Sequence, residues 1–95
     1  MALFDELIMP AIRSFEPELI LISAGYDAHI DDPLGGMWLT ERGFSEMTSR
    51  LLDAAHRSAG GKLVAVLEGG YDPMALARSV AATIRTLDGE VDSAV

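Results

Sequence analysis

The chain has 95 residues, of which 49% are hydrophobic and 23% charged, with no cysteine and a formal net charge of −8 at pH 7. This length supports one small domain, and the composition excludes a disordered chain, a disulfide framework and a thiolate zinc site. The acidic excess argues against direct contact with nucleic acid or an anionic membrane, and we expect a protein of the reducing cytoplasm.

Residues 2–15 predict an amphipathic helix, since their apolar side chains recur three and four residues apart. Pro10 lies inside this pattern and predicts either a kink or a short turn that restarts at Pro10, whereas Pro17 ends the helix and favours extended geometry at Glu16. The segment lacks the charged and then apolar pattern of a signal peptide. No run in the chain reaches the roughly 20 apolar residues of a membrane span.

Two aliphatic runs, at residues 18–23 and 62–67, predict strands that are buried on both faces. Because a helix joins them, the strands should lie parallel with a right-handed crossover. The alternation predicts an α/β fold of three layers, α/β/α, in which the loops after both strands meet at one edge of the sheet. Two strands make an incomplete sheet, so we expect either self-association or a missing part of a larger sheet.

Two later helices carry clear boundary signals. The first begins after Thr40, an N-cap residue, and ends at Gly60 and Gly61. The second has Asp72 as N-cap and Pro73 at its first helical position, and a tail at 89–95 is expected to fray. The predicted core face of the first helix consists of Phe44, Met47, Leu51, Ala54, Ala55 and Ala59, and that of the second of Met74, Ala77, Val80, Ala81, Ile84 and Leu87.

The loop at residues 24–39 is about three times longer than a typical connection, which indicates a binding role. Its first half concentrates three carboxylates and one imidazole, those of Asp27, His29, Asp31 and Asp32. Carboxylate and imidazole groups suit zinc and other divalent cations. The alternative, which the residues alone favour, is a solvated acidic turn whose carboxylates cap backbone N–H groups.

The second loop, Glu-Gly-Gly-Tyr at residues 68–71, directly precedes the last helix. A phosphate site at the helix N-terminus is one interpretation, although Asp72 would repel the anion and the lysine of the phosphate-binding fingerprint is absent. A second interpretation is that Gly69 and Gly70 admit a substrate while the Tyr71 phenol donates a hydrogen bond to an oxyanion. Spacing alone favours a third, a Gly-Gly turn with a packed tyrosine.

Four segments carry a family resemblance. They are residues 15–29, which include Ser-Ala-Gly-Tyr-Asp-Ala-His, Asp-Pro-Leu-Gly-Gly at 32–36, Leu-Thr-x-x-Gly-Phe at 39–44, and Leu-Glu-Gly-Gly-Tyr-Asp at 67–72. Together they resemble the C-terminal part of the histone deacetylase superfamily, most closely its class II-like and bacterial branch with acetylpolyamine amidohydrolases and acetoin-utilisation proteins. The resemblance implies an arginase/deacetylase-like fold and zinc-dependent hydrolysis of an acetyl amide.

The resemblance also assigns residues to roles. Asp32 matches a zinc-ligating aspartate, and Tyr71 matches the tyrosine that hydrogen-bonds the acetyl carbonyl and steadies the tetrahedral oxyanion. Gly69 and Gly70 would line the acyl-lysine channel, and Leu39 falls where the family places a residue of the pocket wall. Two residues of the acidic loop match no zinc ligand: Asp27 is expected to brace the loop, and His29 has no assigned role.

The family's other two zinc ligands and its paired histidines lie upstream of the matched region, and no counterpart precedes Phe15. The resemblance therefore implies one domain at 1–95, the C-terminal part of a catalytic domain, inactive alone and holding Zn²⁺ only with the upstream ligands. An acetylated lysine, a polyamine or a small amide would be the substrate. The alternative is a non-catalytic α/β module that self-associates and retains relic motifs; a nucleotide-binding domain is a weaker rival.

Overall fold

The computed structural model describes residues 2–89 of the chain, so the tail predicted to fray lies outside the described residues except for Gly89. In chain order the elements are a π-helical turn Phe4–Ile8, α1 Met9–Phe15, β1 Ile20–Gly25, a 3₁₀ turn Tyr26–Ala28, α2 Glu41–Ser58, β2 Leu63–Gly69 and α3 Pro73–Leu87. None of the helices within residues 2–89 is long and apolar enough to cross a membrane.

The N-terminal helix changes its winding where the proline was expected to disturb it. The π-helical turn ends at Ile8, and Pro10 lies in the first turn of α1. A proline has no N–H and its ring crowds the carbonyl four residues earlier, which gives a physical reason for the wider turn before it. The extended geometry predicted for Glu16 is wrong, since this residue is left-handed (φ 53°, ψ 63°) and its N–H donates to the Ile12 carbonyl as a helix cap.

The two strands pair in parallel, as predicted. The register runs from Ile20 opposite Leu63 to Ala24 opposite Leu67, after which an irregularity brings Gly25 opposite Gly69. Both strands therefore continue two residues further towards their carboxyl ends than the aliphatic runs indicated. As a consequence, the acidic loop and the Gly-Gly-Tyr loop leave the sheet side by side.

One face of the sheet forms the core with α1 and α2. The central cluster consists of Met9, Ile20, Ala54, Ala55 and Ala59, with Phe4, Ile12, Ile22, Leu51 and Leu63 packed against it. The three alanines let α2 approach the strand closely, and the face predicted for this helix is confirmed. The predicted caps are also present, since Thr40 accepts a hydrogen bond from the Gly43 N–H and Asp72 accepts one from the Ala75 N–H.

The opposite face of the sheet is uncovered by the described residues. The register places Leu21 there beside Val64 and Val66, and all three side chains are exposed. Within residues 2–89 each strand also has one edge without a strand partner. The α/β fold is thus confirmed, while this part of the chain provides only one of the two helical layers predicted to flank the sheet.

The core face predicted for α3 is wrong. Met74 and Ile84 are exposed, as is Ala77, whereas the buried residues are Ala75, Ser79, Ala82 and Thr83. The helix packs against α2 and the 3₁₀ turn through this small-residue side, where Thr83 accepts a hydrogen bond of 2.8 Å from the Tyr26 hydroxyl. Within residues 2–89 the more apolar side of α3 is therefore left uncovered. The prediction failed because periodicity identifies an apolar face but not the element that covers it.

Candidate functional site

The acidic loop is tied to itself just beyond β1. His29 and Leu39 form a parallel bridge, in which the Ile30 N–H donates to the Leu39 carbonyl at 2.7 Å and the Leu39 N–H donates to the Ala28 carbonyl at 3.0 Å. Tyr26 anchors the start of the loop, since its buried ring meets the edge of Phe44 at a centroid distance of 5.0 Å. These contacts close the segment between residues 29 and 39 into a loop that projects from the sheet.

Asp32 lies in this loop and is only 8% exposed. Its Oδ1 accepts hydrogen bonds from the backbone N–H groups of Leu34 at 2.8 Å and Gly35 at 3.1 Å. Its Oδ2 accepts a hydrogen bond of 2.7 Å from the N–H of Tyr71, which is 39 residues away in sequence. One carboxylate thus orders its own turn and joins the first loop to the second.

These donors also set the charge of the carboxylate. Desolvation by burial raises the pKa of Asp32, but the backbone N–H groups of Tyr71, Leu34, Gly35 and Asp72 together lower it, and the net pKa lies below the ordinary value of 3.8. The group is therefore ionised at neutral pH, as an anionic metal ligand must be.

Tyr71 presents its phenol outward from the second loop, with the residue 55% exposed. The preceding Gly70 has φ of 138°, and a Cβ there would lie 2.7 Å from Cδ1 of Leu76 and 3.2 Å from Cβ of Tyr26. Only glycine therefore fits at this position. The side chain of Asp72 already occupies the N-terminus of α3, which disfavours the phosphate interpretation of this loop.

Asp27 lies between the carboxyl ends of the two strands. A Cβ on Gly69 would be 3.2 Å from its carboxyl group, and a Cβ on Gly25 would be 3.0 Å from its Oδ1. A Cβ on Gly35 would lie 1.6 Å from the carbonyl oxygen of Asp27, a distance that no side chain can accommodate. This packing supports the expected bracing role of Asp27, whose contact with Gly35 has no signal in the sequence.

A polar cluster of His29, Asp31, Glu41 and Arg78 lies beside the loop. His29 is 2% exposed, and its Nδ1 accepts the Asp31 N–H at 3.0 Å while its Nε2 lies 3.2 Å from Oε2 of Glu41. Arg78 donates from Nε to Oε1 of Glu41 at 2.5 Å and reaches Oδ2 of Asp31 at 3.4 Å. No sequence signal links these positions, which lie on a loop, on α2 and on α3.

Glu41 is the most perturbed acid of this polar cluster. The hydrogen bond from Arg78 is the largest influence on it and lowers its pKa, desolvation opposes this, and its own backbone N–H and His29 lower the pKa further. The pKa of Glu41 falls from 4.5 to about 2. Glu41 is therefore ionised throughout the physiological range.

Comparison with known proteins decides the family. Residues 1–87 match the histone deacetylase domain. The chain belongs to the histone deacetylase family. Histone deacetylase 10, chloroplastic, of Oryza sativa subsp. japonica is 47% identical over 87 residues, which are 92% of this chain and 20% of that relative. The polyamine deacetylase HDAC10 of Homo sapiens is 46% identical over 89 residues, 94% of this chain and 13% of the relative.

The solved structure of the HDA15 HD domain resembles this histone deacetylase segment with a TM-score of 0.85 and 40% identity. The match covers 96% of this chain and 25% of that domain. The family resemblance and the α/β fold expected from the sequence are thereby confirmed. The chain spans only about a fifth or less of the two relatives named above.

The described residues of this deacetylase-family chain do not form a complete metal site. Within residues 2–89 no group of three or more His, Cys, Asp or Glu side chains could hold a metal ion. The acidic loop therefore provides no such group within these residues, and Nδ1 of His29 already accepts the Asp31 N–H. Asp32 fits the role of a single ligand, because it is ionised and its backbone donors fix its orientation, whereas a catalytic zinc requires three protein ligands.

The other residues implied by the family fall into two places. Gly69 and Gly70 adjoin the contact between Asp32 and Tyr71. Leu39 instead lines an apolar cavity of about 240 Å³ between β1 and α2, together with residues such as Phe44. The structure therefore brings four of the five predicted site residues to one edge of the sheet and directs the fifth towards the interior.

Proposed function

We propose that this chain is the C-terminal part of a zinc-dependent deacetylase domain, in which Asp32 supplies one zinc ligand and Tyr71 stabilises the oxyanion. The observation that supports this most strongly is the hydrogen bond of 2.7 Å from the Tyr71 N–H to Oδ2 of Asp32. It joins the two loops at the carboxyl ends of parallel strands, where ligands bind in open α/β sheets. The carboxylate of Asp32 and the backbone of Tyr71, separated by 39 residues, thus meet at one edge of the sheet.

Asp32 is suited to hold a cation. A carboxylate has about four acceptor sites, and three of those on Asp32 take the N–H groups of Leu34, Gly35 and Tyr71. These N–H groups orient the carboxylate, and its depressed pKa reduces the competition between protons and a metal. Zinc, when bound, polarises the scissile carbonyl as a Lewis acid.

Tyr71 is suited to the second electrophilic contact. Its backbone is fixed to Asp32 while its phenol is exposed, so the hydroxyl can donate a hydrogen bond to the oxygen of an acetyl amide. Gly69 and Gly70 place no side chain beside it, and the narrow stem of an acyl-lysine can therefore pass close to the backbone. Removing a donor of this kind from an enzyme commonly lowers kcat by about 10² to 10³.

The rest of the catalytic site comes, in this proposal, from polypeptide outside the described residues. The exposed Leu21, Val64 and Val66 and the unpaired strand edges form the surface against which that polypeptide packs. Residues 1–95 then form one domain with it, and the chain is inactive alone because one carboxylate cannot hold a catalytic zinc. The substrate is an acetylated lysine, a polyamine or a small amide, in the cytoplasm and without nucleic acid or membrane as partner.

A composite domain tests these roles. It consists of the HDA15 HD domain with its matched segment replaced by residues 2–89 of this chain. We expect Tyr71→Phe to lower kcat on an acetyl-lysine peptide by about 100-fold. Asp32→Asn should reduce bound zinc, measured by metal analysis. Tyr26→Phe, at the only other tyrosine of the chain, is the matched control and should change kcat less than about twofold, because its hydroxyl faces Thr83 in the interior. A folded Tyr71→Phe variant with unchanged kcat contradicts the proposal.

Experiments on the isolated chain test this proposal together with its alternative. Because the described apolar sheet face is exposed, a self-associating non-catalytic module remains the second candidate. We expect no hydrolysis of an acetyl-lysine peptide by the 95-residue chain, with or without added zinc, and robust turnover would refute both inactive interpretations. Sedimentation measures association, and a compact, stable and inactive monomer would contradict the need for any covering surface.

A further inference from the structure

The polar contacts around the two loops close into a ring. Asp32 accepts a hydrogen bond from the Tyr71 N–H, and Tyr71 is joined through the N-cap residue Asp72 to α3, which carries Arg78. Arg78 bonds Glu41 at the first position of α2, and Glu41 faces His29. The carbonyl of His29 accepts the Asp32 N–H at 3.0 Å, which returns the ring to its start. Both residues of the proposed catalytic pair, Asp32 and Tyr71, therefore lie on this ring.

We propose that His29, Glu41 and Arg78 are positioning residues, which fix the Asp32 loop relative to the Tyr71 loop. This inference rests on the proposed function, because the relative placement of Asp32 and Tyr71 affects catalysis only if the two residues act as proposed. None of the three positioning residues contacts substrate or metal in this scheme. They act through the rigid bodies that carry the pair.

The lever is α3. Arg78 lies on α3, which begins at Pro73, and is roughly one and a half turns or about 8 Å along the axis from that residue. A helix moves as a rigid unit, so any shift of Arg78 relative to Glu41 also shifts the N-terminus of α3, to which Tyr71 is joined through Asp72. Arg78 additionally reaches Asp31, the neighbour of Asp32, at 3.4 Å, which couples the same helix to the acidic loop directly.

Two features distinguish this cluster from an ordinary surface ion pair, namely its buried member His29 and the low pKa of Glu41. The side chains of Arg78 and Asp31, by contrast, are 47% and 58% exposed. An exposed pair contributes little, because side-chain entropy and solvent screening offset its attraction. Here His29 is nearly inaccessible, its Nδ1 accepts the Asp31 N–H, and its buried Nε2 lies 3.2 Å from Oε2 of Glu41 without completing a hydrogen bond. Glu41 is further held at the N-terminus of α2, where a negative charge is favourable.

The test uses the composite domain with three single substitutions. His29→Asn keeps an acceptor where Nδ1 lies but cannot reach Glu41, while Glu41→Gln and Arg78→Met remove one charge each. We expect kcat to fall about tenfold in each variant with KM within about twofold, as for residues that orient a catalytic group. The double variant of Glu41→Gln and Arg78→Met should fall about tenfold as well, since both break the same ring.

A second readout reports the geometry without catalysis. Amide hydrogen exchange at Tyr71, whose N–H donates to Asp32, should quicken about tenfold in all three variants, whereas exchange at Ala55 in the core stays unchanged. The matched control is the exposed ion pair of Arg57 and Asp53 on α2, and Arg57→Met should alter neither quantity.

Each result decides the inference. Unchanged kcat and unchanged Tyr71 exchange in folded variants overturn it, and so does a double variant whose losses multiply to about a hundredfold. A general rise in exchange that includes Ala55 shows a role in stability alone and also overturns it. If Tyr71→Phe proves harmless, the proposed function fails, while Tyr71 exchange still tests the ring. Arg78→Lys keeps the charge of Arg78 and should recover part of the kcat that Arg78→Met loses. This variant keeps the test decisive if one of the others does not fold.

Discussion

Removing the charge of Glu41 by Glu41→Gln tests the electrostatics of the polar cluster quantitatively. A pKa lowered from 4.5 to about 2 corresponds to an upper limit of about 3 kcal/mol of stability at neutral pH. The Glu41 side chain is 30% exposed, however, and solvent screening reduces what such a pair contributes. We therefore expect Glu41→Gln to lower the free energy of unfolding by about 1 kcal/mol at pH 7.

The pH dependence of this difference follows from the direction of the shift. Because the folded pKa is the lower one, the contribution of Glu41 is complete above about pH 4.5 and is lost as the pH falls towards 2. Urea unfolding of the 95-residue chain and its Glu41→Gln variant, followed by circular dichroism between pH 2 and 7, measures the difference. Asp53→Asn on the same helix is the control, expected to change stability by less than about 0.5 kcal/mol.

The result that refutes this reasoning is a stability difference between the chain and Glu41→Gln that stays constant from pH 7 to pH 2. A carbon-13 NMR titration of the Glu41 carboxyl checks the cause directly. Its pKa should be near 2 in the chain and should rise towards 4.5 in Arg78→Met, since the hydrogen bond from Arg78 is the largest influence. An unchanged pKa in that variant would show that Arg78 does not hold the carboxylate.

Two further predictions concern stability and metal binding. Tyr26→Phe should lower the free energy of unfolding by about 1 kcal/mol in urea titrations, because Thr83 loses a buried donor while the ring contacts persist; an unchanged midpoint would contradict this. Gly35→Ala should weaken zinc binding by the composite domain at least about tenfold, since a Cβ would meet the Asp27 carbonyl at 1.6 Å. Gly36→Ala, whose Cβ would meet nothing within 4 Å but whose φ of 65° adds backbone strain, controls for strain in the same loop, and equal affinities in the two variants would refute the clash.

Much of the fold could be predicted because its signals are local. Aliphatic runs predict the strands, Thr40 and Asp72 mark helix starts, and a single crossover helix requires parallel strands. The buried side of α3 could not be predicted in this way. Its apolar side, which includes Met74 and Ile84, is exposed, because the helix packs on α2 and on Tyr26 through smaller residues. Which neighbour a helix meets is a tertiary fact that periodicity does not carry.

The candidate site could likewise be predicted only where its signals are local or topological. Topology alone places the Asp32 loop beside the Tyr71 loop, and the family resemblance adds their roles. Neither reveals that His29 is buried against Glu41 and linked to Arg78, because these three residues become neighbours only when α2 and α3 pack together. The close fit of Gly35 against Asp27 is equally invisible in sequence, where both residues are compatible with an ordinary acidic turn.

The span of the bond between Asp32 and Tyr71 has a consequence for folding. Bonds from Asp32 to Leu34 and Gly35 can form as soon as the turn exists, but the third must wait until β1, α2 and β2 have assembled, because it closes a loop of 39 residues. A partly folded chain therefore carries a carboxylate that merely caps its own turn. The carboxylate reaches its final orientation only when the crossover is complete, so the geometry of this proposed zinc ligand and the native topology arise in the same event.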